Sequence, residues 1–131
     1  MGRKSYLEFS DADFRYAIAV FELGFYDPCG RFCQQSVEKR LKHFIEYKGY
    51  PEDVYLFSIH DLKKLYKQVC KLANVEPDKI TISDLTDLVD YYFKTNYPKK
   101  DNIELTKEMA EEAIETMKKM NGWVDELLRK D

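Results

Sequence analysis

Residues 27–49 read DPCGRFCQQSVEKRLKHFIEYKG, and this stretch decides the fold. Asp27-Pro28 is a helix-start pair: a carboxylate that can cap the first turn, then a proline whose missing N–H falls where a helix has no acceptor for it. From there Cys29, Cys33, Val37, Leu41 and Phe44/Ile45 recur at steps of three and four, the apolar stripe of an amphipathic helix, and Gly49-Tyr50-Pro51 ends it. A helix of roughly 20 residues spans about 30 Å. It is expected to be the long axis of a bundle.

Working outward, the same spacing recurs in four more segments. A preceding helix is expected from Ser10 to Leu23, with Phe14, Ala17, Ile18 and Phe21 on one face and Gly24 just past its end. A third starts at Ser58 as cap, with Asp61 in the capping-box position, and runs through Leu62, Leu65, Tyr66, Val69 and Cys70 to about Asn74. A fourth, capped by Thr81 or Ser83, turns Leu85, Leu88, Val89 and Tyr92 inward and stops at Tyr97-Pro98, because proline restricts the residue before it. A fifth covers about Leu105 to Arg129 on Met109, Ala113, Met117, Met120, Val124 and Leu127/Leu128. Short connections make sequential helices antiparallel neighbours. The expected architecture is all-α, a five-helix up-and-down antiparallel bundle forming one domain over residues 1–131.

Composition agrees: 131 residues, 44% hydrophobic and 34% charged, with only five Gly and four Pro, describe a folded helical chain and not a disordered one. The net charge of -3 argues against a general polyanion binder, yet residues 28–71 carry nine Lys and Arg against five Asp and Glu. Such a local excess can steer a phosphate-bearing ligand. A solvated helix face is the alternative reading. Cys29, Cys33 and Cys70 have no metal-ligand spacing with His43 and His60, and their odd number suits free thiols in a reducing cytoplasm. The start MGRKSYLEFSDADF lacks an apolar leader core, and no membrane-spanning run occurs.

The chemistry-bearing residues are few. Gln35, Lys39 and Lys42 fall at i, i+4 and i+7, so one face of the second helix offers an amide and two cations to a phosphate or to a partner's carboxylates. The competing reading pairs Glu38 with Lys42 as ordinary i, i+4 helix support. His60, beside Asp61, can act as acid/base or touch a phosphate, or else simply pack against a neighbouring helix. His43 suits the surface or a dimer contact. Asn96-Tyr97-Pro98 is a helix stop carrying an amide and a phenol, and Tyr91-Tyr92-Phe93 can stack bases or fill a core. Glycine-rich phosphate loops, a Gly-x-Ser-x-Gly elbow and a His-Glu-x-x-His pair are all missing from the sequence.

The run Gln34-Gln35-Ser36-Val37-Glu38-Lys39-Arg40-Leu41-Lys42, followed by Ile59-His60-Asp61-Leu62 and Asn96-Tyr97-Pro98, resembles the HEPN domain family in order and spacing. Gly24-Phe25-Tyr26-Asp27 resembles the family's approach to its second helix, and Trp123-Val124 its last helix, so the resemblance spans nearly the whole chain. It implies a helical bundle, often a homodimer, engaged with a nucleotide or RNA, and sometimes paired with a small nucleotidyltransferase-like protein in toxin–antitoxin-like systems. Nucleolytic members carry an Arg, four to six residues and a His. Here Arg40 and His43 stand too close, and Asn96 replaces the commoner Arg before Tyr-Pro. The expectation is a binding module without the usual ribonuclease activity, needing neither metal nor cofactor, with ligand contacts at Gln35, Lys39, Lys42, His60, Asn96 and Tyr97. The alternatives are a divergent ribonuclease using His60 as acid/base, and a purely structural dimerisation module.

Overall fold

The computed structural model describes residues 5–49, 57–96 and 103–130. It contains five helices in chain order: α1 (Tyr6–Glu22), α2 (Tyr26–Tyr47), α3 (Leu62–Ala73), α4 (Lys79–Asn96) and α5 (Lys107–Lys130), with no strand among the described residues. The all-α bundle expected from periodicity is the fold. α2 is its axis and packs against each of the other four helices. The core gathers Val37, Leu41, Phe44 and Ile45 of α2 with Leu62, Leu65 and Val69 of α3, Leu85 and Leu88 of α4, and Met117, Met120 and Val124 of α5, all essentially inaccessible to water.

The helix starts differ from those expected, and each difference has a hydrogen-bonding cause. α1 begins four residues before Ser10, because Ser5 Oγ accepts from the Glu8 N–H (3.1 Å) while Glu8 Oε1 accepts from the Ser5 N–H (3.2 Å). This is a reciprocal capping box. In α2 the N-cap position belongs to Phe25, so Asp27 is not the cap. Its carboxylate instead accepts the Leu105 N–H at 2.7 Å, fastening the lead-in of α5 to the first turn of α2. α3 is capped by Asp61 and not by Ser58, since Asp61 Oδ1 accepts from the Lys63 and Lys64 N–H groups. Asp78 caps α4 in place of Thr81 or Ser83, its Oδ2 accepting both the N–H and the hydroxyl of Thr81 at 2.9 Å.

α1 and α2 approach closely through small polar residues. Ser10 Oγ donates to the Ser36 carbonyl and Ser36 Oγ donates to the Ser10 carbonyl, each at 2.8 Å, and Asn121 of α5 donates to Ser36 Oγ at 2.9 Å. All three side chains are buried. Cys29, Cys33 and Cys70 are buried free thiols. Among the described residues no helix is long and apolar enough to cross a membrane.

Candidate functional site

The expected cationic face of α2 resolves into an ion-pair hub centred on Glu38. This carboxylate is 2% exposed. Its Oε2 accepts from Lys42 Nζ at 3.0 Å and lies 3.7 Å from Lys39 Nζ, while Gln34 Nε2 donates to Oε1 at 3.3 Å. His60, in the segment leading to α3, brings Nδ1 to 3.0 Å from both oxygens. Burial by itself would push the Glu38 carboxyl up. Lys42, through charge and hydrogen bond, together with Lys39 and the His60 hydrogen bond, outweighs it and holds Glu38 below the ordinary carboxylate value.

An ionised Glu38 only accepts hydrogen bonds, so His60 donates to it from Nδ1, which leaves Nε2 as the ring nitrogen away from the carboxylate. The imidazole is 73% exposed although its inner edge is anchored. Asp13 of α1 adds a second acid to this neighbourhood. Burial raises its pKa, the Lys39 charge opposes that rise and the Glu38 charge reinforces it.

Two adjoining clefts open over the hub. One, of about 270 Å³, is lined by Gln34, Gln35, Glu38, Lys39 and His60 on one side and by Val89, Tyr92 and Phe93 of α4 on the other. The second, of about 560 Å³, shares His60, Val89 and Phe93 and adds Lys63 and Lys64 at the start of α3. The combined groove has an aromatic wall, an amide, and a rim on which Lys39, Lys63 and Lys64 stand with Asp61 and Asp90. Among the described residues, no group of three or more His, Cys, Asp or Glu is placed to hold a metal ion.

The structure therefore brings together Gln35, Lys39 and His60 of the expected contacts. Lys42 does not join them at the surface: its side chain is 4% exposed and its ammonium is taken up by Glu38. The i, i+4 pairing exists, but as a buried bond and not as solvated helix support. Asn96 is the last residue of α4, and its side chain, like Tyr97, lies outside the described residues. Of the aromatic run, Tyr92 and Phe93 face the groove, while Tyr91 lines a separate acidic crevice between α4 and α5. Glu38 as organiser was not anticipated from the sequence. Its signal was the placement of an acid one turn after Gln34 and one turn before Lys42.

A second cluster ties three helices together. Buried Arg40 reaches Asp11 of α1 with Nη2 (2.6 Å) and Asp125 of α5 with Nη1 (3.1 Å). His43 beside it is half-buried, and burial followed by the Arg40 charge depresses its pKa against the opposing pull of Glu46, Asp125 and Asp11.

The comparisons with known proteins agree with this architecture. The family model described as HEPN domain matches residues 4–127. The chain belongs to the HEPN domain family. Among solved structures it is similar to TT1696 from Thermus thermophilus, at 24% identity over 93% of this chain and 94% of that one, with a TM-score of 0.78. It is also similar to ST0689, an archaeal HEPN homologue, at 18% identity over 94% and 97% of the two chains, with a TM-score of 0.70. At these identities the likeness is one of fold. No curated protein matches the chain.

Proposed function

We propose that this HEPN domain binds a phosphorylated nucleoside, free or as part of single-stranded RNA, in the groove between α2, α4 and the start of α3. The observation that carries this reading is the meeting of Gln35, Lys39 and His60 with Tyr92 and Phe93 in one cleft. Every base has a π-face that an aromatic ring can stack on, and cations along a groove suit the backbone phosphates. Lys39, with Lys63 and Lys64, meets phosphate, Gln35 hydrogen-bonds base or ribose, and Lys42 acts indirectly by keeping Glu38 ionised. A small nucleotidyltransferase-like protein is the partner suggested by family membership, and the three free thiols suit a cytoplasmic setting.

Fluorescence anisotropy of a labelled single-stranded RNA at several salt concentrations tests the assignment. Lys39→Gln is expected to weaken binding by about 1 kcal/mol, close to fivefold, and to reduce the salt slope by about one. Phe93→Ala is expected to lose about 1 kcal/mol of stacking, the low end of the usual range because the ring is half exposed. Binding that is unchanged in both variants places the ligand elsewhere.

A second reading rests on the anchored imidazole. A buried carboxylate orienting Nδ1 while Nε2 faces a groove is also the arrangement of a general acid/base. Incubating labelled mixed RNA with the protein, with and without chelator, separates the two readings. Under the binding-module reading the RNA stays intact. Cleavage that disappears in His60→Ala, with the melting temperature retained, makes this a divergent ribonuclease.

A further inference from the structure

We propose that the outer face of α3 is a phosphate track along which a single-stranded RNA leaves the groove, so that the ligand is a polymer and not a free nucleotide. This rests on the reading of the groove given above. α3 carries Lys63, Lys64, Lys67 and Lys71, and no acidic residue occurs between Asp61 and Glu76. At 3.6 residues per turn the four lysines fall within an arc of about 100°, opposite the buried Leu62, Leu65 and Val69. All four are exposed. Among the described residues none of their ammonium groups has an ion-pair partner. A merely solvated helix face is expected to alternate its charges and pair them, and this one does neither.

The face is continuous with the groove. Lys63 and Lys64 line the larger cleft beside His60, whereas Lys67 and Lys71 lie beyond it and line neither cleft. From Lys63 to Lys71 the helix rises about 12 Å. Side chains and not the helix end supply the anion contacts here, because Asp61 Oδ1 already accepts the Lys63 and Lys64 N–H groups. Charge also sets the direction of exit. On the α4 side stands Asp90, and the crevice between α4 and α5 gathers Asp84, Asp87, Glu112 and Glu115 with Lys119. A strand with a base on Phe93 and a phosphate at Lys39 is repelled there and drawn along α3. A single nucleotide seated in the groove leaves Lys67 and Lys71 unused. An acidic lipid surface suits this face less well, since a helix that lies on a membrane needs its apolar side free and that of α3 is in the core.

Anisotropy titrations of a labelled single-stranded RNA across a salt series test the track with the double variant Lys67→Gln/Lys71→Gln. RNA affinity is expected to fall about tenfold at low salt, and the salt slope by about 1.4, two single-strand contacts at about 0.7 each. The melting temperature should hold. Binding of nucleoside 5′-monophosphates, followed by the His60 imidazole resonance, should not change, because they reach only the groove. RNA affinity that drops in Lys39→Gln and Phe93→Ala but not in the double variant overturns the track and leaves the groove standing. Affinity that drops in the double variant but in neither groove variant overturns both the groove and a strand that starts from it. Co-sedimentation with phosphatidylserine vesicles that the double variant loses, without RNA binding by the wild type, overturns the proposal in favour of a membrane surface.

Discussion

Replacing Glu38 by leucine should lower the free energy of unfolding by about 3–5 kcal/mol, the cost expected when one member of a buried ion pair is removed and the other is left uncompensated. Lys42 is the group left behind. Its side chain is 4% exposed, and Glu38 at 3.0 Å is its ion-pair partner among the described residues. The asymmetry is instructive, because Glu38 also has Lys39, His60 and Gln34. Lys42→Met should therefore cost less than Glu38→Leu. The double variant should recover most of the loss, since well-packed apolar residues often substitute for a buried pair at little cost. Urea denaturation of the three variants at pH 7 measures all of this. A double variant no more stable than Glu38→Leu would show that packing, and not the stranded ammonium, sets the cost.

The same pair makes a statement about acid. The folded-state pKa of Glu38 lies below its ordinary value of 4.5. Its stabilising contribution is therefore complete above pH 4.5 and is lost as the pH falls through the lower folded value. Stability of the double variant should fall less steeply in that range than stability of the wild type.

Arg40→Met should cost about 2–3 kcal/mol, less than Glu38→Leu, because the carboxylates it abandons can be rehydrated. Asp11 and Asp125 have side chains 48% and 41% exposed, whereas the guanidinium is 8% exposed. The informative readout is His43. In the wild type its pKa lies below 6.5, through burial first and the Arg40 charge second. The unfolded chain then binds the proton more readily, so this residue's contribution is fully present above pH 6.5 and is lost as pH falls through that value. Without Arg40, the attraction of Asp11 and Asp125 is unopposed and the His43 pKa should rise. Imidazole proton NMR resolves this readily because the chain has only two histidines. A His43 titration that does not move in Arg40→Met would mean that burial alone sets it.

How much was legible in the sequence depended on whether a feature is local. Periodicity identified all five helices and their apolar faces, because the angle of a residue around a helix depends only on spacing. It did not choose among neighbouring caps. Ser58 and Asp61, or Asp78, Thr81 and Ser83, all offer an oxygen of the right chemistry, and the backbone approach decides which one is used. The candidate site divided in the same way. Spacing and motif order singled out Gln35, Lys39 and His60, which the fold brings to one cleft, but Lys42, expected on the same open face, is buried, because periodicity treats α2 as a helix with one buried side. α2 is enclosed by four neighbours, so Gln34, Ser36, Glu38, Arg40 and Lys42 are all buried although they point in several directions. Tyr92 and Phe93 could be read as core or as ligand wall, and only the folded chain sets them opposite Gln35 and His60.

The reciprocal hydroxyl bonds between Ser10 and Ser36, with Asn121 attached, act as an alignment key for the bundle. Helices packed through apolar stripes alone can slide by one turn and still bury nearly the same oily area. Here such a slip would strand three buried polar side chains away from their acceptors, each at a cost of about 1–3 kcal/mol. The trio thus adds little to how tightly the bundle holds and a great deal to where its helices come to rest. Since Ser36 is one turn from Arg40 and half a turn from Glu38, that alignment also sets where the cleft opens.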